Sequence, residues 1–168
     1  LGSEEVAGIN KGTFIMPKEL VLDKLPPQNL DAEMAVLGSM LLDEEAVSVA
    51  VEKLDSGCFY KNTHKKIFQT ISDLFNANKA VDLITLADTL RKDGSLDEIG
   101  GASYLTSLAN AVPTAANINH YANIVREKYI LRTLINNSTK IITVCHESEG
   151  NIAEVVDTAE KLIFEVSD

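Results

Sequence analysis

Five residues of this chain could ligate a transition metal: Cys58, His64, His120, Cys145 and His146. A metal site needs three or four such groups converging. Cys145 and His146 are adjacent in a helical stretch, so their side chains point about 100° apart and do not chelate together easily. Ordinary buried or surface roles are expected for all five, and a small metal or hydrolytic enzyme is the weakest reading. The nearest approach to a phosphate-cradling loop, Gly8-Ile9-Asn10-Lys11-Gly12-Thr13, has neither the spacing nor the lysine in place. Gly100-Gly101 lacks the third glycine and the preceding strand of a dinucleotide fingerprint and reads as a turn. The acidic runs Asp43-Glu44-Glu45 and Asp97-Glu98 sit in no evident apolar pocket, which makes helix starts and loops their expected places. No catalytic, cofactor-binding or metal residue is therefore assigned.

Two further features carry less decided readings. His64 falls in Tyr60-Lys61-Asn62-Thr63-His64-Lys65-Lys66, the one basic cluster of an acidic chain. It suits contact with an anionic partner, but the expected role is a solvated first helical turn with His64 bonded to nearby backbone. Tyr104 and Tyr121 suit a core or an interface alike.

The elements that position these residues are helices. The longest apolar periodicity runs from Asn117 to Glu147 and resumes from Asn151 to Val166, interrupted only by Glu147-Ser148-Glu149-Gly150. Ile152, Val155, Val156, Ala159, Leu162, Ile163 and Val166 form one stripe at helical spacing. In the longer arm Ile118, Tyr121, Ala122, Val125, Tyr129 and Arg132 follow one line. Ile124, Leu131, Leu134, Ile135, Ile141, Ile142 and Cys145 spread over another sector. The pattern predicts an antiparallel helical hairpin whose long arm, about 45 Å at 1.5 Å per residue, exceeds the body before it. One neighbouring helix cannot cover both sectors, so a second subunit is expected to cover the rest.

Upstream, the residues before Pro26-Pro27 show no sustained period, and 1–25 is expected to be a flexible arm. Asn29 or Asp31 starts a helix with Met34, Leu37, Gly38, Leu41 and Leu42 inward. Glu44 to Leu54 forms the next, with Val47, Ala50, Val51 and Leu54 inward. Asn62-Thr63 caps a helix carrying Ile67, Phe68, Ile71, Leu74 and Phe75. Asp82 opens a short helix marked by Leu83, Ile84, Leu86, Ala87 and Leu90, which stops at Asp93-Gly94. A fifth holds Ala102, Tyr104, Leu105, Leu108, Ala109 and Val112 before Pro113. No strand-like alternation is sustained. The predicted class is all-α, with a helical globular head over 26–114 and the hairpin over 115–168.

The 168 residues are 45% hydrophobic, enough for one sizeable core, and the formal net charge of -10 repels phosphate backbones. Protein partners are expected instead. Two cysteines without a disulfide framework suit a reducing cytosol, and no apolar run is long enough to span a bilayer, so cytoplasmic placement is expected.

Several local runs, taken in order, resemble one known family. Pro27-Gln28-Asn29-Leu30-Asp31-Ala32-Glu33 leads into Val36-Leu37-Gly38, and Phe59-Tyr60 is followed by His64 and Ile67-Phe68. Asp82-Leu83-Ile84-Thr85-Leu86 and Gly100-Gly101 with Tyr104-Leu105 come next. Ala115-Ala116-Asn117-Ile118 then continues through Tyr121-Ala122 to Ile124-Val125-Arg126-Glu127. The chain resembles the amino-terminal domain of bacterial replicative DNA helicases of the DnaB family, from about Leu25 to Val166.

The resemblance implies a head and hairpin that pair between subunits into a collar, a trimer of dimers within a hexameric ring. The collar docks primase and helps hold the ring on single-stranded DNA, with a helicase loader as a further partner. It places ATP and magnesium in a downstream motor domain, so this fragment is expected to be no enzyme. It implies protein-binding roles for Tyr104, Ile135, Ile141, Val155 and Val156 at the hairpin and its junction with the head, each in competition with a plain core role. The alternative is a free-standing adaptor that uses the same hairpin as a binding groove.

Overall fold

The computed structural model describes residues 24–147 and 151–166, so the expected flexible arm, apart from its last two residues, and the hairpin turn at 148–150 lie outside the described residues. The elements among the described residues are all helical: α1 Leu30–Leu42, α2 Glu44–Lys53, a 3-10 turn Ser56–Cys58, α3 Asn62–Asn76, α4 Leu83–Lys92, α5 Gly101–Ala109, α6 Ile118–Glu147 and α7 Ile152–Phe164.

Short polar side chains start three of these helices. Asn29 Oδ1 accepts from Ala32 N at 2.9 Å, Asp43 Oδ1 from Glu45 N at 3.0 Å, and Asp82 Oδ1 from Ile84 N and Thr85 N at 2.9 Å each. Each bond satisfies donors that a helix start leaves open. The start of α3 corrects the expected Asn62-Thr63 cap. Lys61 is the cap residue and has no side-chain capping bond. The backbone N–H groups of Tyr60 and Lys61 donate instead to the Glu33 carboxylate of α1, at 2.6 and 3.4 Å.

Helix α1 is the axis of the head, packed by α2, α3, α5 and α6. Its expected one-sided stripe is corrected accordingly: Leu42 is exposed and Met34 and Leu41 are half-buried, whereas Ala32, Ala35, Val36, Leu37 and Met40 are core. A helix covered on most sides needs no single apolar face. Where α5 crosses it, a Cβ on Gly38 would lie 2.3 Å from Leu108 O, so only glycine permits this approach. Ile84, one of the apolar residues that mark α4, is 83% exposed. It lies about 200° around α4 from Leu86, which is core. Val112, expected within the fifth helix, follows its end and is buried there.

Helix α6 does two jobs in succession. Ile118, Ala122 and Val125 belong to the head core, and Tyr121, Ile124 and Tyr129 pack against it. Beyond Arg132 the helix leaves the head, and α7 returns along it, pinned where Asn137 Nδ2 donates to Leu162 O at 2.7 Å. Asn137 is the one buried residue of that distal half, and α7 has none.

Candidate protein-docking surface

The apolar residues that α7 leaves uncovered define a surface. Leu131, Ile135 and Ile142 of α6 and Ile152, Val156, Ile163 and Phe164 of α7 are exposed, Ile135 by 50% and Val156 by 48%. Leu131, Ile135 and Ile142 recur at intervals of four and seven on one side of α6. An apolar stripe of this kind is costly in water and is the ordinary mark of an interface. Of the expected second sector of the long arm, Leu131, Ile135 and Ile142 are thus unshielded within one chain, whereas Ile124, Leu134 and Ile141 are half-buried. Ile141 and Val155, also singled out from the sequence, are half-buried.

Tyr104 is placed elsewhere. It is half-buried on α5 in the head, and its polar partners are His64 of α3 and Lys61 just before it. The structure brings Ile135, Ile141, Val155 and Val156 together on the hairpin and leaves Tyr104 apart from them. Its hydroxyl lies 2.7 Å from His64 Nε2 and accepts from Lys61 Nζ at 3.0 Å. His64 Nδ1 is 2.6 Å from Glu33 Oε2. In the tautomer that protonates Nδ1, the ring donates to Glu33 and accepts from Tyr104, so every member is satisfied. Both readings of His64 are corrected: it is fully buried, bonded to two side chains, and neither solvated nor facing a partner. A buried carboxylate is tolerable here because it collects three donors.

Glu33, Arg132 and Asn137 are the residues that sequence reasoning passed over. Arg132 carried a usable signal, a charge on an otherwise apolar helical line. Its Nη1 donates to Pro27 O at 2.7 Å and its Nη2 to Cys58 O at 2.6 Å, tying the start of the head to the middle of α6. Tyr121 is half-buried against the core. Asp43 serves as a cap, while Asp97 and Glu98 are exposed in a turn.

Among the described residues no group of three His, Cys, Asp or Glu could hold a metal ion, and no helix is long and apolar enough to cross a membrane. Cys58 is buried, which pushes its thiol pKa up, while Cys145 is exposed. Asp82 is held below the usual carboxylate range, chiefly by its bond from Thr85 N and also by the Thr85 hydroxyl.

A family model described as the DnaB-like helicase N terminal domain matches residues 25–127. The chain is 44% identical over 149 residues to the replicative DNA helicase DnaC of Bacillus subtilis, a match covering 89% of this chain and 33% of that protein. It is 40% identical over 161 residues to the replicative DNA helicase DnaB of Mycobacterium leprae, covering 95% of this chain and 27% of that one. The chain thus spans about a third of the length of the curated relatives it matches. Among solved structures, the N-terminal domain of DnaB helicase from Mycobacterium tuberculosis is similar with a TM-score of 0.79 and 42% identity, over 84% of this chain and 99% of that one. A structure of a DnaB-like replicative helicase, reported with its interactions with primase, is similar with a TM-score of 0.69 and 28% identity over 82% of this chain and 31% of that one.

Proposed function

The chain belongs to the DnaB-like helicase N-terminal domain family, and we propose on that ground that it is the assembly and docking part of a replicative DNA helicase. The whole protein unwinds duplex DNA in the cytoplasm with ATP and magnesium held in a motor domain outside this chain. The fragment itself performs no catalysis. Its head, residues 26–114 closed by the start of α6, carries the fold, and the rest of its hairpin, within residues 115–168, carries assembly. Copies pair through the hairpin, build a trimer of dimers, and present primase and a helicase loader with a collar that meets single-stranded DNA only as part of the full ring.

The observation that carries this reading is the exposed apolar stripe through Leu131, Ile135 and Ile142, continued on α7 by Ile152, Val156 and Ile163. Pairing two such stripes would bury about 800 Å² per partner, the size of a standard specific interface. Ile135 and Val156 then contact a partner directly, Ile141 and Val155 hold the hairpin together, and Tyr104 supports the head.

Sedimentation velocity over a concentration series tests the assembly role, and adding purified primase tests the docking role. Dimers that grow with concentration, and a heavier boundary with primase, are expected. A strict monomer at the highest concentration would overturn the assembly reading. A primase boundary that migrates independently would overturn the docking one.

A further inference from the structure

Where the head meets the projecting part of α6 there is a notch of about 320 Å³, lined among others by Tyr60, Lys65, Tyr129, Arg132, Thr133 and Asn136. Arg132 is fixed in it before any ligand arrives. Besides its bonds to Pro27 O and Cys58 O, its guanidinium carbon lies 5.7 Å from the Tyr60 ring centroid and 6.0 Å from that of Tyr129. Those partners orient the group without supplying a negative charge. The ion pairs among the described residues are Glu33 with His64, Asp93 with Lys66 and Asp88 with Lys92, so neither Arg132 nor Lys65 is in one. Asp55, next to the turn on the notch wall, is engaged as an acceptor from Gly57 N at 2.6 Å.

A chain of net charge -10 therefore carries, at one concave point, two cations that no carboxylate among the described residues pairs with. We infer that this notch is a second docking site, which receives a glutamate or aspartate side chain from an acidic segment of a protein partner. Arg132 has five N–H groups and uses two on carbonyls; the others, the Lys65 ammonium and the exposed Asn136 amide are donors that one carboxylate can accept from together. Tyr60 and Tyr129 offer apolar ring surface to the stem of the arriving side chain. A second copy of this chain is the poorer occupant, because pairing would bury the apolar hairpin stripe rather than this polar notch. A nucleic acid is poorer too, because the net charge of -10 of the chain as a whole repels a phosphate backbone.

The test is an NMR titration of the uniformly nitrogen-labelled 168-residue chain with three probes: the blocked peptide Leu-Glu-Glu-Leu-Leu, its counterpart with glutamine for glutamate, and single-stranded oligothymidylate. The acidic peptide is expected to shift the backbone amides of Tyr60, Lys65, Tyr129 and Asn136 saturably and to weaken with added salt. Lys65→Ala, which breaks no ion pair, and Asn136→Ala, which alters an exposed side chain, should each lower its affinity roughly three- to tenfold with an unchanged melting temperature. An equal response to the glutamine peptide, unchanged affinity in both variants, or no shift at millimolar peptide would overturn the proposal. Tighter binding of oligothymidylate at the same amides would overturn it in favour of nucleic acid. Shifts of the Tyr60 and Lys65 amides, which lie off the hairpin stripe, that follow protein concentration without peptide would overturn it in favour of a contact between copies.

Discussion

The Tyr104 hydroxyl lies 2.7 Å from Nε2 of His64, 40 residues earlier in the chain, and closes a partly buried relay that runs from Lys61, just before α3, to Glu33 of α1. Removing that hydroxyl leaves a ring nitrogen with no solvent access and no partner. Tyr104→Phe is expected to lose about 1–2 kcal/mol of stability, the usual cost of an unsatisfied buried polar group. Urea denaturation measures it. Well below the melting temperature the variant should still self-associate as the parent does, because Tyr104 makes its polar contacts inside the head. Loss of association in a fully folded variant would make Tyr104 a direct contact.

The crossing of α1 and α5 is equally intolerant. A methyl group at Gly38 would come within 2.3 Å of the Leu108 carbonyl oxygen, a backbone atom that cannot swing aside. Gly38→Ala should therefore destabilise the head by about 1–3 kcal/mol, although alanine is the better helix former. A thermal melt showing equal or higher stability would mean that α5 can slide off α1 without loss.

How far the sequence anticipates this structure depends on the range of the interaction. Asn29, Asp43 and Asp82 act on N–H groups two or three residues away, and such spacing can be read directly. The hairpin is legible for the same reason, since its apolar period repeats within each arm. Glu33, His64 and Tyr104 meet only after α1, α3 and α5 have packed, and nothing local marks Glu33 as the group that serves the start of α3. The inward face of α1 is misread because a helix contacted on most sides has no face to detect. Of the residues proposed for docking, Ile135 and Val156 lie on apolar stripes that periodicity shows and take their role from the family resemblance, whereas Arg132 needs the fold to show its aromatic flanks.

Asp82 gives α4 a pH-dependent start. Its carboxyl is held below the ordinary aspartate range by the N–H and hydroxyl of Thr85. A depressed folded value means that the bonded carboxylate adds stability above the unfolded aspartate range. That contribution is lost as pH falls through the lowered value. Asp88 and Asp93 are lowered as well, so acid destabilises through several groups at once. Asp82→Asn keeps a capping oxygen without the titration, so its stability should fall less than that of the parent between pH 7 and pH values below the ordinary aspartate range. Asp82→Ala should lose about 1 kcal/mol even at neutral pH. Denaturation curves of the three proteins at both pH values separate the cap from its charge.

The two thiols should report on different events. Cys58 is buried and its thiol is pushed up by desolvation, so the reactive thiolate is scarce and shielded. Cys145 is exposed on distal α6. A thiol-specific chromogenic reagent near neutral pH should modify one group per chain rapidly and the second only as fast as the head opens. Cys145→Ser should abolish the fast phase and leave the slow one. Two fast groups would show that the turn around Cys58 opens without unfolding of the head.

The hairpin stripe separates assembly from folding. Ile135 and Val156 are half-exposed in one chain, so an aspartate at either place costs the isolated subunit little. In a pair of hairpins the same aspartate would sit in an apolar interface with no cation opposite, a desolvation cost of several kcal/mol. Ile135→Asp and Val156→Asp are thus expected to shift sedimentation from dimer to monomer by at least a hundredfold in dissociation constant while the head melts within a few degrees of the parent. Asn137→Leu should behave in the opposite way. It removes the bond to the Leu162 carbonyl from a seam that is otherwise largely apolar, so the hairpin gains greasy contact and loses the contact that pins α7 against α6. Association should persist in that variant, with broadened hairpin resonances reporting more than one register. A dimer that survives both aspartate substitutions would mean that copies meet through some other face, and the uncovered stripe would then be left for a different protein.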